Sequence, residues 1–316
     1  MTGELQSILI LGTSNSMYKD GWVDGFISEN PHVQIENRSI GGSPGIQFLR
    51  YARLDFSQYS AVIFDSAVND ENHLPYLGNI DIYRDLMWKL FDIIASQTRL
   101  VAIGFRNRQN IDKESEVFKV YRECCEERGG LFICVNSWVA ANFTLGDDIY
   151  DDMAHIKRHV AYAFGRNLTL PVGALAPNRA KSEVSNLFEV IDGKEFSTYT
   201  QLLKSSSMMS AELALMPEGS SISFSSPLRV LGIFFDYRAT HGAIKFHNSK
   251  TLAGQNLQYP LEDRLILKFV PFWGGVECEG LSVVQPHPDY AFSPEETADS
   301  SLPTQVAAIS FLAMRI

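Results

Sequence analysis

The sequence QSILILGTSNS, residues 6–16, decides the fold of the first half of the chain. Its apolar run ends at Gly12, as expected of a short strand that is buried on both faces. A hydroxyl-rich turn follows the run directly. Four further strand patterns occur along this half: Val33–Ile40, Ala61–Ser66, Arg99–Gly104 and Leu131–Val135.

Helical patterns lie between these strands. Ile80–Ser96 carries its apolar residues at the spacing of one helix face, and Asp112–Arg128 is charged and amphipathic. A further helix is predicted over Ala154–Leu168. Strands that alternate with helices of this length form βαβ units with right-handed crossovers, so we expect a five-stranded parallel sheet in one doubly wound α/β domain over residues 1–170.

The second half has a different pattern. Residues 171–210 are interpreted as a connector, and the remainder, 211–316, holds short β-rich runs broken by Gly, Pro and Asn-Ser turns. This pattern predicts an all-β sandwich or jelly-roll domain. The expected strands are Ser221–Phe224, Leu228–Tyr237, Ala243–His247, Leu265–Phe272, Leu281–Val284 and Gln305–Ala313.

Charge and hydropathy exclude several classes of function. The 316 residues include 27 Lys and Arg against 37 Asp and Glu, a formal net charge of −10. An acidic surface repels phosphate backbones, so nucleic acid is not an expected partner. No apolar run reaches the roughly 18 residues of a membrane span.

The N-terminal residues and the cysteines favour a cytoplasmic protein. The N-terminus lacks the basic and apolar regions of a signal peptide. The four cysteines form no CxxC pair, so we expect reduced thiols in a cytoplasmic protein.

Polar residues follow the strands where a parallel sheet places its ligands, at the carboxyl ends. A hydroxyl, a glycine turn, an amide and an Asp/His pair are therefore expected at one edge. They lie in Gly12–Ser16, Ser39–Ser43, Ala67–Asp70 and Asp151–His155.

These groups are the components of acyl transfer. Ser14 is the candidate nucleophile, His155 its general base, and Asp152 the group that orients the imidazole. The backbone N–H groups of Ser14 and Gly42 and the side-chain amide of Asn69 are candidate oxyanion donors. No cofactor and no metal is expected.

The same residues resemble the blocks of the SGNH hydrolases, also called GDSL esterases and lipases, over about residues 5–170. The resemblance implies a three-layer α/β/α sandwich (SGNH/flavodoxin-like), a serine esterase activity, and the site roles named above. Thr13 replaces the family's usual Asp and Ala67 its usual Gly, which leaves the substrate class open. The matching blocks are Gly12-Thr13-Ser14, Ser39–Ser43, Ala67-Val68-Asn69-Asp70 and Asp152–His155.

Several residues have rival interpretations. Ser16 is a rival nucleophile, and Asp151 is a rival to Asp152. His155 and His159 are four residues apart on a predicted helix, but the segment lacks the Glu of HExxH and carries two cations, which disfavours a metal site.

Substrate contacts are predicted in two places. Arg106 and Arg108 follow the fourth strand and either bind an anionic or hydroxylated substrate or belong to a solvated loop. In the second half, Tyr237, Phe272 and Trp273 either stack on a sugar or pack in the core.

The sequence thus predicts a serine esterase that removes small acyl groups, acetyl above all, from a carbohydrate or related hydroxylated substrate. One alternative is an O-acyltransferase that acts on a polysaccharide or sugar. A further alternative is a non-catalytic scaffold that binds a glycan or a protein. The oligomeric state stays open.

Overall fold

The computed structural model divides the chain into two compact units. The first comprises Met1–Pro75 and Asn79–Ser185, and the second Tyr76–Gly78 and Asn186–Ile316. The described residues are 6–76, 79–111, 113–143, 149–170, 182–196, 198–205, 210–250, 254–258, 265–290 and 302–316.

The first unit is built on a parallel sheet, as predicted. All pairings in it are parallel and the strand order is β2-β1-β3-β4-β5, which confirms the predicted five-stranded parallel sheet. Its strands are β1 (Ser7–Gly12), β2 (Gln34–Asn37), β3 (Ala61–Asp65), β4 (Arg99–Gly104) and β5 (Leu131–Cys134).

Helices cover both faces of this sheet. On one face Ile10 and Ile103 pack in a core with Trp22 and Phe164, which come from the first and last helices. On the other face, the ring of Phe64 contacts the rings of helical aromatic residues. The helices are α1 (Trp22–Glu29), α2 (Ala67–His73), α3 (Ile80–Ala95), α4 (Glu116–Glu127), α5 (Val135–Asn142) and α6 (Arg158–Asn167).

The last helix starts later than predicted. It begins at Arg158, so the prediction of a helix from Ala154 is wrong for its first turn. Tyr150 and Ile156 form an antiparallel bridge, and the Asp151 amide donates to the His155 carbonyl at 2.8 Å. His155 and His159 are therefore not on one helix face.

The second unit is antiparallel throughout its described part, which confirms the all-β prediction. Eight strands are hydrogen-bonded in the order β11-β10-β12-β9-β13-β8-β7, with β6 also paired to β13. They are β6 (Phe188–Asp192), β7 (Thr200–Ser205), β8 (Ser210–Pro217), β9 (Ser221–Asp236), β10 (His241–His247), β11 (Gly254–Gln258), β12 (Leu267–Val284) and β13 (Gln305–Arg315).

The predicted connector, 171–210, is not a connector over its second part. Residues 171–181 lie outside the described residues, but β6 and β7 belong to the second unit's sheet. Short strands of mixed polarity such as FEVID carry little alternation, which explains why the pattern did not predict them.

Two pairs of predicted strands are each one long strand. Ser221–Phe224 and Leu228–Tyr237 join in β9. Leu265–Phe272 and Leu281–Val284 join in β12, because the register shift between Pro271 and Val276 absorbs the interruption. Gly274 and Gly275 lie in this bulge with φ of 75° and 94°. Bulges are where a strand tolerates Gly without ending.

The core of the second unit contains Phe272, which is 0% exposed. Phe272 therefore packs in the core, and the alternative prediction that it stacks on a sugar is wrong. The Trp273 side chain lies outside the described residues. Tyr237 is partly buried, with Lys268 Nζ 4.5 Å from its ring centre.

No helix in the described part of the chain combines the length and the apolar character needed to cross a membrane.

Candidate active site

The first strand delivers the nucleophile turn. β1 ends at Gly12, and Ser14–Ser16 forms a single 3-10 turn immediately after it. Ser16 Oγ donates to Asp65 Oδ2 at 2.6 Å, which ties the turn to the end of β3. A Cβ at position 12 would collide with the Ser16 side chain, so this turn requires glycine there.

A small loop carries the acid–base pair. The bridge between Tyr150 and Ile156 closes the loop at its base. Asp152 Oδ1 accepts the backbone N–H groups of Ala154 at 2.7 Å and His155 at 2.9 Å. These bonds hold the Asp152 carboxylate in one orientation, since an Asx turn of this kind leaves its second oxygen directed away from the backbone.

Ser14, His155 and Asp152 form one hydrogen-bonded chain. Ser14 Oγ lies 2.7 Å from His155 Nε2, and His155 Nδ1 lies 2.6 Å from Asp152 Oδ2. A carboxylate only accepts, so Nδ1 carries the proton and Nε2 is left as the acceptor for the Ser14 hydroxyl. This is the tautomer that a general base for Ser14 requires.

The three hydrogen-bonded side chains become more exposed from His155 to Asp152. The side chain of His155 is 19% exposed and that of Asp152 is 55% exposed. Partial burial raises the pKa of Asp152, but the hydrogen bonds from His155 and from the amides of Ala154 and His155 together hold it below the ordinary value. Asp152 is thus kept ionised, as a partner of an imidazolium must be.

Two residues that the sequence reasoning missed support this chain. Asn15 Nδ2 donates to the Ala154 carbonyl at 3.2 Å, joining the nucleophile turn to the histidine loop. The ring of Tyr18 lies 5.0 Å from that of His155, centre to centre. Both lie within four residues of Ser14 in the sequence, and this proximity was the available signal.

The three candidate oxyanion donors come from three strand ends. The Ser14 amide is the first of its 3-10 turn, and the first amides of a helix have no acceptor within it. Asn69 is 5% exposed and donates from Nδ2 to the Ser43 carbonyl at 3.1 Å. An amide nitrogen has two hydrogens, so one bond to Ser43 leaves a second for an oxyanion.

Gly42 lies in the loop that follows the second strand. Its φ of 64° falls in the left-handed region, where a side chain would be strained. At the neighbouring position, a Cβ on Gly41 would lie 3.6 Å from Ser14 Cβ. The loop therefore passes directly beside the nucleophile, which is where an oxyanion donor must be.

The two departures from the family pattern differ in their surroundings. Thr13 is fully buried, and its hydroxyl has no hydrogen-bond partner among the described residues. Ala67 is the first residue of α2, and within the described residues only Asp20 and Asn248 are non-glycine residues with positive φ. Position 67 therefore does not need glycine in this fold.

The two arginines differ in placement. Arg106 Nη1 donates to the Ile111 carbonyl at 3.0 Å and its guanidinium lies 5.3 Å from the centre of the Phe118 ring. It holds its own loop, which does not support the predicted substrate contact. Arg108 is exposed, and its amide donates to the Met153 carbonyl at 2.9 Å, so its contact with substrate stays a prediction.

The alternative candidates for nucleophile, aspartate and metal ligand do not take part in the hydrogen bonds that join Ser14, His155 and Asp152. The Ser16 hydroxyl is 2% exposed and bonded to Asp65. Asp151 contacts the loop through its backbone, and His159 is exposed on α6. Over the described ranges, no group of three His, Cys, Asp or Glu residues is arranged to hold a metal ion.

Fold and site agree with the arrangement that the resemblance to the SGNH hydrolases implies. A five-stranded parallel sheet has helices on both faces, and Ser14, Gly42, Asn69 and His155 lie in segments that follow its strands.

Several solved structures match the N-terminal half of the chain at low sequence identity. Protein YxiM from Bacillus subtilis has 17% identity and a TM-score of 0.40 over 52% of this chain and 55% of its own, so the match spans about half of YxiM. Esterase EstA from Pseudoalteromonas sp. has 18% identity and a TM-score of 0.39 over 51% and 93% of the two chains. The lipase/acylhydrolase from Enterococcus faecalis has 15% identity and a TM-score of 0.41 over 56% and 100%.

No protein-family model matches the sequence, and no curated protein matches it.

Proposed function

We propose that this protein is a serine hydrolase that cleaves carboxylic esters through Ser14. The observation that carries the proposal is the contact of 2.7 Å between Ser14 Oγ and His155 Nε2, continued at 2.6 Å from Nδ1 to Asp152. A serine hydroxyl is a weak nucleophile on its own, and a hydrogen-bonded base that is itself oriented by a third group activates it.

The first half-reaction forms an acyl-enzyme. Ser14 Oγ bonds to the ester carbonyl carbon while its proton moves to His155 Nε2. The carbonyl oxygen becomes an oxyanion and accepts the N–H groups of Ser14, Gly42 and Asn69. The intermediate collapses as the C–O bond to the alcohol breaks, and the alcohol oxygen takes the proton from His155.

The second half-reaction regenerates the enzyme. His155 removes a proton from water as the water oxygen bonds to the acyl carbon. The Ser14 ester bond then breaks, the proton returns to Ser14 Oγ, and the carboxylic acid leaves. Asp152 stays ionised throughout and stabilises the imidazolium of His155 in both halves.

We further propose small acyl groups, acetyl above all, on a carbohydrate or related hydroxylated substrate. Long acyl chains need a broad apolar surface, and the described site loops expose few large apolar side chains. Among the described residues, Met153 at 43% exposure is the one large exposed hydrophobic side chain on the site loops. Exposed Arg108 and half-exposed Asp152 add polar surface beside it.

Hydrolysis of p-nitrophenyl acetate, butyrate and octanoate tests both levels of the proposal. We expect acetate to be the best substrate of the wild type. Ser14→Ala should lower turnover by roughly 10⁴-fold or more, as removal of a triad nucleophile does. Ser57→Ala, which changes an exposed serine, is the matched control and should retain full activity.

Other results select the alternatives. Preference for octanoate would contradict the small acyl group. Acyl transfer to an added glycan that exceeds hydrolysis would favour an O-acyltransferase, which uses the same triad but excludes water. A folded wild type that neither turns over nor reacts with a fluorophosphonate at Ser14 would indicate a non-catalytic scaffold.

A further inference from the structure

Helix α2 holds the glycine loop 41–45 at three points. All three contacts reach the backbone of the loop, and they come from residues 69, 70 and 73. Asn69 Nδ2 donates to the Ser43 carbonyl at 3.1 Å, the Gly45 amide donates to Asp70 Oδ1, and His73 Nε2 lies 3.2 Å from the Gly42 carbonyl oxygen.

The loop needs such support. Three of its five residues are glycines, and glycine has the largest backbone freedom of any residue. An oxyanion donor lowers a barrier only when it is held in place before the reaction. The amide of Gly42 can therefore serve only if something outside the loop keeps its peptide planes in position.

Asp70 supplies one fixed point. It is 0% exposed, and its second oxygen accepts the Tyr83 hydroxyl at 2.8 Å and also the Tyr121 hydroxyl. These donors from α3 and α4 orient the carboxylate, which in turn accepts the Gly45 amide. A buried carboxylate with several donors is rigid, because rotating it would leave those donors unpaired.

His73 supplies the other fixed point, at the carbonyl of Gly42. Its side chain is 9% exposed in the last turn of α2. A carbonyl oxygen only accepts, so the contact of 3.2 Å requires that His73 Nε2 carries a hydrogen and donates it. This bond restrains rotation about the backbone of Gly42. The residue has a φ of 64° and no side chain that could hold this conformation.

We propose that Asp70 and His73 are positioning residues of the oxyanion site, which hold the loop 41–45 so that the Gly42 amide stays beside Ser14. The inference rests on the proposed esterase function. Neither side chain touches the reacting atoms; each acts through the backbone of Gly42 or Gly45.

A pair of His73 variants gives the sharpest test. His73→Leu removes the donor, whereas His73→Gln keeps an N–H at similar reach. His32→Leu is the matched control, because it makes the same change at an exposed histidine. Active sites are counted with a fluorophosphonate, and kcat and KM for p-nitrophenyl acetate are then measured per titrated site.

We expect His73→Leu to lower kcat per site roughly 10-fold with KM within about twofold, which is part of the 10²–10³ that loss of a whole oxyanion donor costs. His73→Gln should recover most of the loss. Amide hydrogen exchange over residues 41–51 should quicken in His73→Leu and not in His73→Gln. A merely structural role would change the number of active sites but not the turnover of each.

Asp70→Asn is the second variant. The amide oxygen can still accept the Gly45 N–H, but its nitrogen replaces an acceptor for two hydroxyls, so we expect a kcat between those of His73→Leu and wild type. If this variant does not fold, the His73 pair decides alone.

Two results overturn the proposal and are distinguishable. An active wild type with unchanged kcat per site in His73→Leu refutes the positioning role and leaves the esterase intact. A wild type without labelling or turnover refutes the esterase and the positioning role together.

Discussion

Each unit of the protein holds one serine–histidine contact within the described residues, and the two differ in their surroundings. In the first unit, Ser14 Oγ lies 2.7 Å from His155 Nε2. In the second, Ser282 Oγ lies 3.1 Å from His247 Nε2. The same two side chains meet, yet among the described residues only the first contact continues to a carboxylate.

The difference follows from the two kinds of sheet. Parallel strands all end at one edge, so β1, β2 and β3 bring Ser14, Gly42 and Asn69 to the same place. His247 and Ser282 lie on the neighbouring antiparallel strands β10 and β12, where His247 pairs with Gly280 and Ser282 with Lys245. Within the described part of the chain, no carboxylate forms an ion pair with His247.

Under the proposed function, a serine and a histidine within hydrogen-bond distance are not enough for catalysis. Ser14 differs from Ser282 because its histidine is held in one tautomer by Asp152 and candidate oxyanion donors lie nearby. We expect the reaction to belong to the first contact alone, and the following experiments test that contrast.

Removing the base should give the largest effect. His155→Ala should lower kcat/KM for p-nitrophenyl acetate roughly 10⁴- to 10⁶-fold, because the serine hydroxyl then keeps its proton. His247→Ala should change it less than about twofold, within the scatter of neutral surface changes. Equal losses in the two variants would remove the distinction between the contacts.

Removing the charge of Asp152, which orients His155, should lower activity slightly less. Asp152→Asn can still accept the amides of Ala154 and His155, but it no longer selects the tautomer, so kcat should fall roughly 10³- to 10⁴-fold. Asp151→Asn is the control, since Asp151 contacts the loop through its backbone amide. A larger loss in Asp151→Asn would assign the role to the rival aspartate.

Removing one candidate oxyanion donor should lower activity less than either of these changes. Asn69→Ala should lower kcat roughly 10²- to 10³-fold with KM little changed, because the donor acts on charge that develops in the transition state. Asn167→Ala, which changes an exposed asparagine at the end of α6, should be near neutral. A rise in KM at constant kcat would place Asn69 in ground-state binding instead.

The smallest effect concerns the stability of the nucleophile turn. Burial raises the pKa of Asp65 to about 7 from an ordinary 3.8, although the Ser16 hydroxyl bonded to it acts in the opposite direction. Between these values the folded protein holds a proton that the unfolded chain has lost, so this group's contribution to stability falls as pH rises from about 4 to 7.

Calorimetry of the wild type and Asp65→Asn from pH 4 to 8 measures that contribution. The wild type should lose a few degrees of Tm relative to the variant across this range, because the variant has no proton to lose at position 65. Two curves that stay parallel over the whole range would show that Asp65 titrates alike in both states.

Much of the fold was predictable, and the reason is burial. Strands covered on both faces leave short apolar runs such as SILILG, with no polar position to confuse the pattern. The long strands β9 and β12 were harder, since Pro and Gly at their bulges resemble strand ends. Helix α2 was not predicted, although it carries Asn69 and His73.

The candidate site was predictable in part. Ser14, Gly42, Asn69, Asp152 and His155 were identified because each follows a predicted strand or lies close to the last helix. Arg106 is a candidate substrate contact on the same ground, with a solvated loop as the alternative, and its side chain bonds to Ile111 within its own loop. A position at a sheet edge predicts a residue's neighbourhood but not the direction of its side chain.

The sequence by itself determined the parallel sheet, the edge at which polar groups gather and the order of the reactive residues, because local periodicity and strand ends encode these. The tertiary structure decided that His155 lies in a bridged loop ahead of α6, that His73 contacts the Gly42 carbonyl and that Asp65 accepts the Ser16 hydroxyl. Those contacts join residues 31 and 49 positions apart, and such pairs depend on how elements pack, which no local pattern records.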